Sequence, residues 1–190
     1  MRLRIAIVGA LLVTAAPANA QFATDSESLI KAVRESDGAK VESLIGSSRS
    51  DLINLRAFDG STPLTIAVEQ RNQNFASYLL GKGADPDLAG HAGTTPLVSA
   101  AQLGWFEGVD LLLKAGAKVD VPNRQGETAL IVAVQIRNLP IVRRLLAAGA
   151  NPDRTDHAAG MSAREYAQRD NRVRDTLRLI ESVRPAKPAR

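Results

Sequence analysis

At 190 residues and 45% hydrophobic content, the chain is long enough for one well-packed domain and too apolar to be disordered along most of its length. Aromatics make up only 4% and cysteine is absent, so the core is built from Leu, Ile, Val and Ala, and disulfides, thiol catalysis and Cys-ligated zinc are excluded. The net charge of +4 is unevenly placed: residues 161–190 carry +4 and residues 21–160 carry −2, so the body lacks the basic face that nucleic-acid binding requires.

The chain opens with Arg2 and Arg4, an apolar run from Ile5 to Val13, and a small-x-small site at Ala18-Asn19-Ala20. This is the pattern of a secretory leader, whose apolar run is too short to span a bilayer. The alternative is a buried N-terminal helix. Residues 1–20 are expected to be removed, leaving a periplasmic (or secreted) chain that starts near Gln21 and is not inserted in a membrane.

Residues 21–58 are expected to form an atypical N-terminal unit that caps the stack. Leu29, Ala32, Val33, Val41, Leu44 and Ile45 supply two apolar stripes at helical spacing. The segment from Ile45 to Asn54 is two residues longer than the matching one from Leu80 to Asp87, which predicts an extended loop over Gly46–Asp51.

Three units of 33 residues follow, over 59–91, 92–124 and 125–157. Gly60, Gly93 and Gly126 share one phase; so do Gly83, Gly116 and Gly149, the leucine pairs Leu79-Leu80, Leu112-Leu113 and Leu145-Leu146, and Asp87, Asp120 and Asp153. In each unit a glycine permits a tight turn, and Thr62, Thr95 or Thr128 then caps a first helix, with Pro63 or Pro96 at a position where a missing N–H costs nothing. A short bend reverses the chain near Arg71-Asn72, Gly104-Trp105 and Arg137-Asn138. Asn and Gly suit left-handed geometry there, and Arg does not. A second helix ends at Gly83, Gly116 or Gly149.

These residues resemble the ankyrin repeat, with its Gly-x-Thr-Pro-Leu opening and its Leu-Leu-x-x-Gly-Ala close. The resemblance implies an all-α solenoid of stacked helix–turn–helix units with projecting β-like turns and a concave face. It also implies that a partner protein contacts the turn tips and the exposed face of each first helix. The family's histidine is replaced by Thr65, Val98 and Ile131, of which only Thr65 could still brace a neighbouring turn by a hydrogen bond.

Residues 158–183 are expected to cap the stack. Gly160 falls one residue late, Ser162 to Glu165 makes a capping box, and Arg164 stands where the full units have leucine, as suits a last layer facing water. Arg169, Arg172, Arg174, Arg178 and Glu181 make the final helix polar, and 184–190 reads as a disordered tail.

No catalytic constellation emerges. His91 and His157 occupy turn tips two repeats apart, too distant for one metal, and no serine has a partnered histidine. Gly81-Lys82-Gly83 lacks the remaining residues of a phosphate loop and sits at a helix end, where carbonyls point outward. Asp85, Asp87, Asp120, Asp153 and Asp156 suit turn stabilisation better than calcium. No metal, no cofactor and no enzymatic activity are therefore expected.

By register, the partner-contacting residues are Phe58, Asp59, Ser61, Glu69 and Gln70 in the first full unit. The second offers His91, Thr94, Gln102 and Leu103, and the third Arg124, Gln125, Glu127, Gln135 and Ile136. Phe58, Leu103 and Ile136 are apolar at expected solvent positions, while Trp105 is either a packing residue or an anchor. The expected function is a monomeric, exported protein-binding scaffold. An exported effector or inhibitor of a foreign or host protein would use the same surface.

Overall fold

The computed structural model describes residues 18–46 and 50–183, so most of the expected leader, part of the 46–51 loop and the tail from Arg184 lie outside the described residues. Ten α-helices are found among them, with a single isolated β-bridge between Thr155 and Ser162 and no sheet. The helices pair as antiparallel layers. α1 (Ala18–Arg34) packs on α2 (Gly38–Ile45), α3 (Pro63–Glu69) on α4 (Gln73–Gly81), and α5 (Pro96–Gln102) on α6 (Phe106–Lys114). α7 (Ala129–Gln135) packs on α8 (Leu139–Ala147), and α9 (Ala163–Arg169) on α10 (Arg174–Glu181). α1 runs across the point after Ala20 where cleavage is expected.

The first helices α3, α5, α7 and α9 are held at their starts as the sequence predicts. The hydroxyls of Thr62, Thr95, Thr128 and Ser162 accept the N–H three residues on, which satisfies one of the helix's orphan donors. Ser162 and Glu165 complete the expected capping box. Thr65 also forms a box with Thr62: its hydroxyl accepts the Thr62 N–H at 2.8 Å and donates to the Thr62 carbonyl at 3.0 Å. Thr65 is thereby engaged within its own helix and does not brace a neighbouring turn.

First helices are the middle of the sandwich. α5 touches α3, α6 and α7, so nearly every residue of α3, α5 and α7 is buried, including Leu64, Leu97 and Leu130. Ala67, Ala100, Ala133 and Ala167 are buried at one phase, and their small side chains let successive layers approach closely. Second helices bury one stripe each, Phe75, Ala76 and Leu79 in α4, Gly108, Val109 and Leu112 in α6, and Ile141, Val142 and Leu145 in α8.

The bends differ from the expectation. Arg71 and Arg137 take the left-handed conformation (φ 51° and 60°), as Ser36 and Gly104 do, while Asn72 and Asn138 have φ near −90°. Each asparagine instead caps the second helix, its side-chain oxygen accepting the N–H of Phe75 or Ile141 at 3.1 Å. A cap is worth about 1 kcal/mol, and the strained arginines gain partners of their own: Arg71 donates to the Leu103 carbonyl and Arg137 pairs with Asp170 at 2.6 Å.

One chain of contacts ties unit to unit at the repeat spacing. Asn54 Oδ1 accepts the Asp85 N–H at 2.8 Å, Asp87 the Lys118 N–H at 2.8 Å, and Asp120 the Asn151 N–H at 3.0 Å. Asp153, at the same phase, meets the Arg164 guanidinium at 2.6 Å. Arg164 also donates to the carbonyls of Ile180 and Val183, at 3.2 and 3.4 Å, near the end of α10. The expected water-facing charge is thus a part-buried clamp that closes the last layer, because a cation at a helix C-terminus satisfies carbonyls left without partners.

Burial pushes the Asp120 carboxyl above its ordinary value despite the Asn151 N–H. Asp120→Asn keeps an acceptor and removes the desolvated charge, so stability is expected to hold or rise. Asp120→Ala leaves the Asn151 N–H unmet and is expected to cost about 1–2 kcal/mol. Urea midpoints of the two variants, compared at neutral pH, check the difference.

Candidate partner interface

Each turn begins at a glycine that the next unit covers. Gly126 has φ 80°, and a β-carbon there would lie 2.7 Å from His157 Cδ2 and 2.8 Å from its backbone nitrogen. At Gly93 the Cγ of Arg124 fills the same place, 2.9 Å from where a β-carbon would stand. The tips are stitched in series: the Arg124 N–H donates to the Ala92 carbonyl at 3.4 Å and the His157 N–H to the Gln125 carbonyl at 2.7 Å. His91 Nδ1 lies 3.1 Å from the Asp59 carbonyl and His157 Nδ1 3.4 Å from that of Arg124, contacts that need the proton on Nδ1. The histidines read as solvated loop residues are exposed and also brace the preceding tip.

Three expected contact residues turn out to close the turns. The carbonyls of Ser61, Thr94 and Glu127 accept the N–H of Ala57, Gly90 and Asn123 at 2.8, 2.8 and 3.0 Å. Ser61 is buried, and Thr94 and Glu127 are half-buried, the last with its carboxylate on Asn123 Nδ2 at 2.9 Å. Closing each turn draws that backbone phase inward, which the repeat register alone does not reveal. Trp105 is also a packing residue, 7% exposed, with its ring over Gly108. Leu103, expected at a solvent position, is half-buried against the core.

The remaining predicted residues do face solvent. Phe58, Asp59, His91, Arg124 and Gln125 lie at the tips, and Glu69, Gln70, Gln102, Gln135 and Ile136 lie toward the bend end of the first helices. A seven-residue helix separates the two sets by about 10 Å. Phe58 is fully exposed at 113%, and Ile136 is exposed at 44%. Phe106, at 39%, is a third exposed hydrophobic that the sequence reading missed. Its neighbour Trp105 is the ring that packs inward, over Gly108.

Phe58 stands at the rim of a groove of about 810 Å³ between α1 and the 55–59 turn. Ile30, Leu55 and Ala57 supply apolar lining, and Glu27, Lys31, Arg34 and Asp59 supply charge. Arg34 reaches Asp59 at 2.5 Å, and Gln70 Nε2 donates to the Arg34 carbonyl at 2.7 Å, which joins the first two layers beneath the groove. The Ser61 N–H and hydroxyl, and then Arg34, hold the Asp59 carboxyl below its ordinary value. Glu69 is pushed up, by partial desolvation and then by the Asp59 charge. Among the described residues no cluster of three or more His, Asp or Glu could hold a metal ion. No helix there is long and apolar enough to cross a membrane.

A comparison with curated proteins gives no match. The family model described as "Ankyrin repeats (3 copies)" matches residues 29–123 and again 82–156, which together exceed half of the chain. Repeats of this kind generally mediate protein–protein interaction. With the 33-residue period, the capped helix pairs and the stitched turn tips already in place, the chain belongs to the ankyrin-repeat family.

Proposed function

We propose that the chain is a non-enzymatic scaffold, exported to the periplasm, that binds a partner protein through its turn tips and the adjoining concave face. The observation that carries this reading is Phe58. A phenylalanine held wholly in water beside an apolar groove costs solubility and does nothing for the core, whereas buried under a partner it supplies the aromatic anchor that interfaces favour. The leader-like residues 1–20 support export, and the absence of cysteine suits a chain that needs no oxidative folding.

Two measurements test the two halves of the proposal. Mass spectrometry of the periplasmic fraction is expected to find a mature N-terminus at Gln21. Recovery from the culture medium would instead favour an exported effector. A crosslinked pull-down from that fraction is expected to retain a protein with wild type and lose it with Phe58→Asp/Gln125→Arg. Both substituted side chains are exposed, so circular dichroism of the variant should match wild type. A partner held equally by a folded variant would remove the tips from the interface.

A further inference from the structure

A different surface lies at the opposite end of the first helices, where the chain bends into the second helices. Leu103 and Ile136 are the residues after α5 and α7, and Phe106 and Leu139 begin α6 and α8 at the same phase. Gly104 lies against the next layer: a β-carbon there would stand 3.5 Å from Asn138 Nδ2 and 3.8 Å from Ile136 Cδ1, at ordinary contact distance. The result is an apolar strip holding two of the three exposed large hydrophobics among the described residues, Phe106 and Ile136.

The strip runs directly into a pocket of about 230 Å³ whose lining includes Leu139, Arg137, Arg172, Arg174 and Asp175. Its charges do not cancel. Asp170 is shared by Arg137 at 2.6 Å and Arg172 at 3.0 Å, which leaves one positive charge in excess, and the two arginines hold its carboxyl well below the usual range. Asp175 is taken by Arg178 at 3.4 Å, and Arg174 is exposed with no carboxylate partner among the described residues. The groove beside Phe58 differs, because its acidic and basic residues balance and it cannot select a partner by sign.

We infer that this bend edge is a second docking surface, and that its occupant is a segment of a partner protein in which apolar side chains are followed by carboxylates. Apolar residues cover Phe106, Ile136 and Leu139, and the carboxylates meet the surplus arginine charge one step along the stack. Arginine in excess beside an apolar strip selects acidic chains and repels basic ones, so the sign of the partner is set by the pocket and its affinity by the strip. This inference does not depend on the tips, and the two surfaces together would let one scaffold hold two chains.

The test uses the only tryptophan, Trp105, which is buried immediately between Gly104 and Phe106 and reports on this edge by fluorescence. The probes are a capped hexapeptide of three leucines followed by three aspartates, and its counterpart ending in three lysines. Saturable binding of the acidic peptide is expected, at least about tenfold tighter than the basic one. Ile136→Asp should abolish it and Arg174→Glu should weaken it by about tenfold, while Phe58→Asp should leave it unchanged. Arg174 is exposed and has no ion pair among the described residues, so its variant tests the charge without disturbing the fold. Equal binding of both peptides, no binding, or loss in Phe58→Asp would overturn the assignment. So would sedimentation showing that wild type self-associates through this edge and Ile136→Asp does not.

Discussion

Leu130→Ala is expected to lower the free energy of unfolding by about 3–4 kcal/mol, the upper part of the range for emptying a leucine site that cannot collapse. Leu130 is fully buried in α7, which packs against α5, α8 and α9, so the lost contacts belong to both neighbouring layers as well as its own. The helices around it are themselves pinned by side-chain caps at Thr95, Asn138 and Ser162, and they cannot slide inward to refill the space without breaking those bonds. Domains of this size are stable by about 5–15 kcal/mol, so the loss is a large fraction of the whole. A stack also transmits it unevenly. Weakening a central layer separates the two ends, whereas weakening a terminal one only frays that end. Ile180→Ala, equally buried but in α10 at the edge of the stack, is therefore expected to cost less and to keep a single transition. Urea unfolding followed by circular dichroism reads both effects. A Leu130→Ala midpoint no lower than that of Ile180→Ala would contradict this account of the core.

The second large effect concerns Gly108, in the first turn of α6. On helix propensity alone, Gly108→Ala should stabilise by about 0.5–1 kcal/mol. Packing reverses the sign. A β-carbon at Gly108 would stand 2.1 Å from Trp105 Cε3 and 2.5 Å from Cδ2, far inside the 3.4 Å of ordinary contact. The obstruction is the rigid body of an indole that is itself 93% covered, not the end of a flexible chain. Trp105 must leave its site, and the loss of most of that burial is worth about 3 kcal/mol. The net expectation is a destabilisation of about 2 kcal/mol, with Trp105 emission moved to longer wavelength as the ring enters water. A variant with raised stability and unshifted emission would mean that the ring has another buried position.

The same residue explains a gap in the capping pattern. Asp37, Asn72 and Asn138 cap the helices after their bends, but Trp105 stands at that position in α6 and makes no side-chain cap. The layer exchanges a hydrogen bond worth about 1 kcal/mol for a large buried aromatic surface. Phe106, the next residue, is exposed and forms part of the apolar strip along the bend edge.

Periodicity alone specified the architecture. Glycine, threonine, proline and leucine recurring every 33 residues encode where helices start, reverse and stop, because each acts through its own backbone and immediate neighbours. The caps at Thr62, Thr95, Thr128 and Ser162 were legible for that reason, and so were the buried stripes and the full exposure of Phe58. The placement of individual side chains was not legible in this way. Whether Trp105 packed or projected depended on the space at Gly108, and the inward turn of Ser61, Thr94 and Glu127 on how each turn closes. The strained arginines at the bends and the Arg164 clamp likewise depended on partners supplied by other units. A local signal is written in consecutive residues and can be read from them. Pairings such as Asn72 with Ser36, Lys118 with Asp87 and Asn151 with Asp120 join groups 31 to 36 positions apart, and only the stacked structure brings those atoms together.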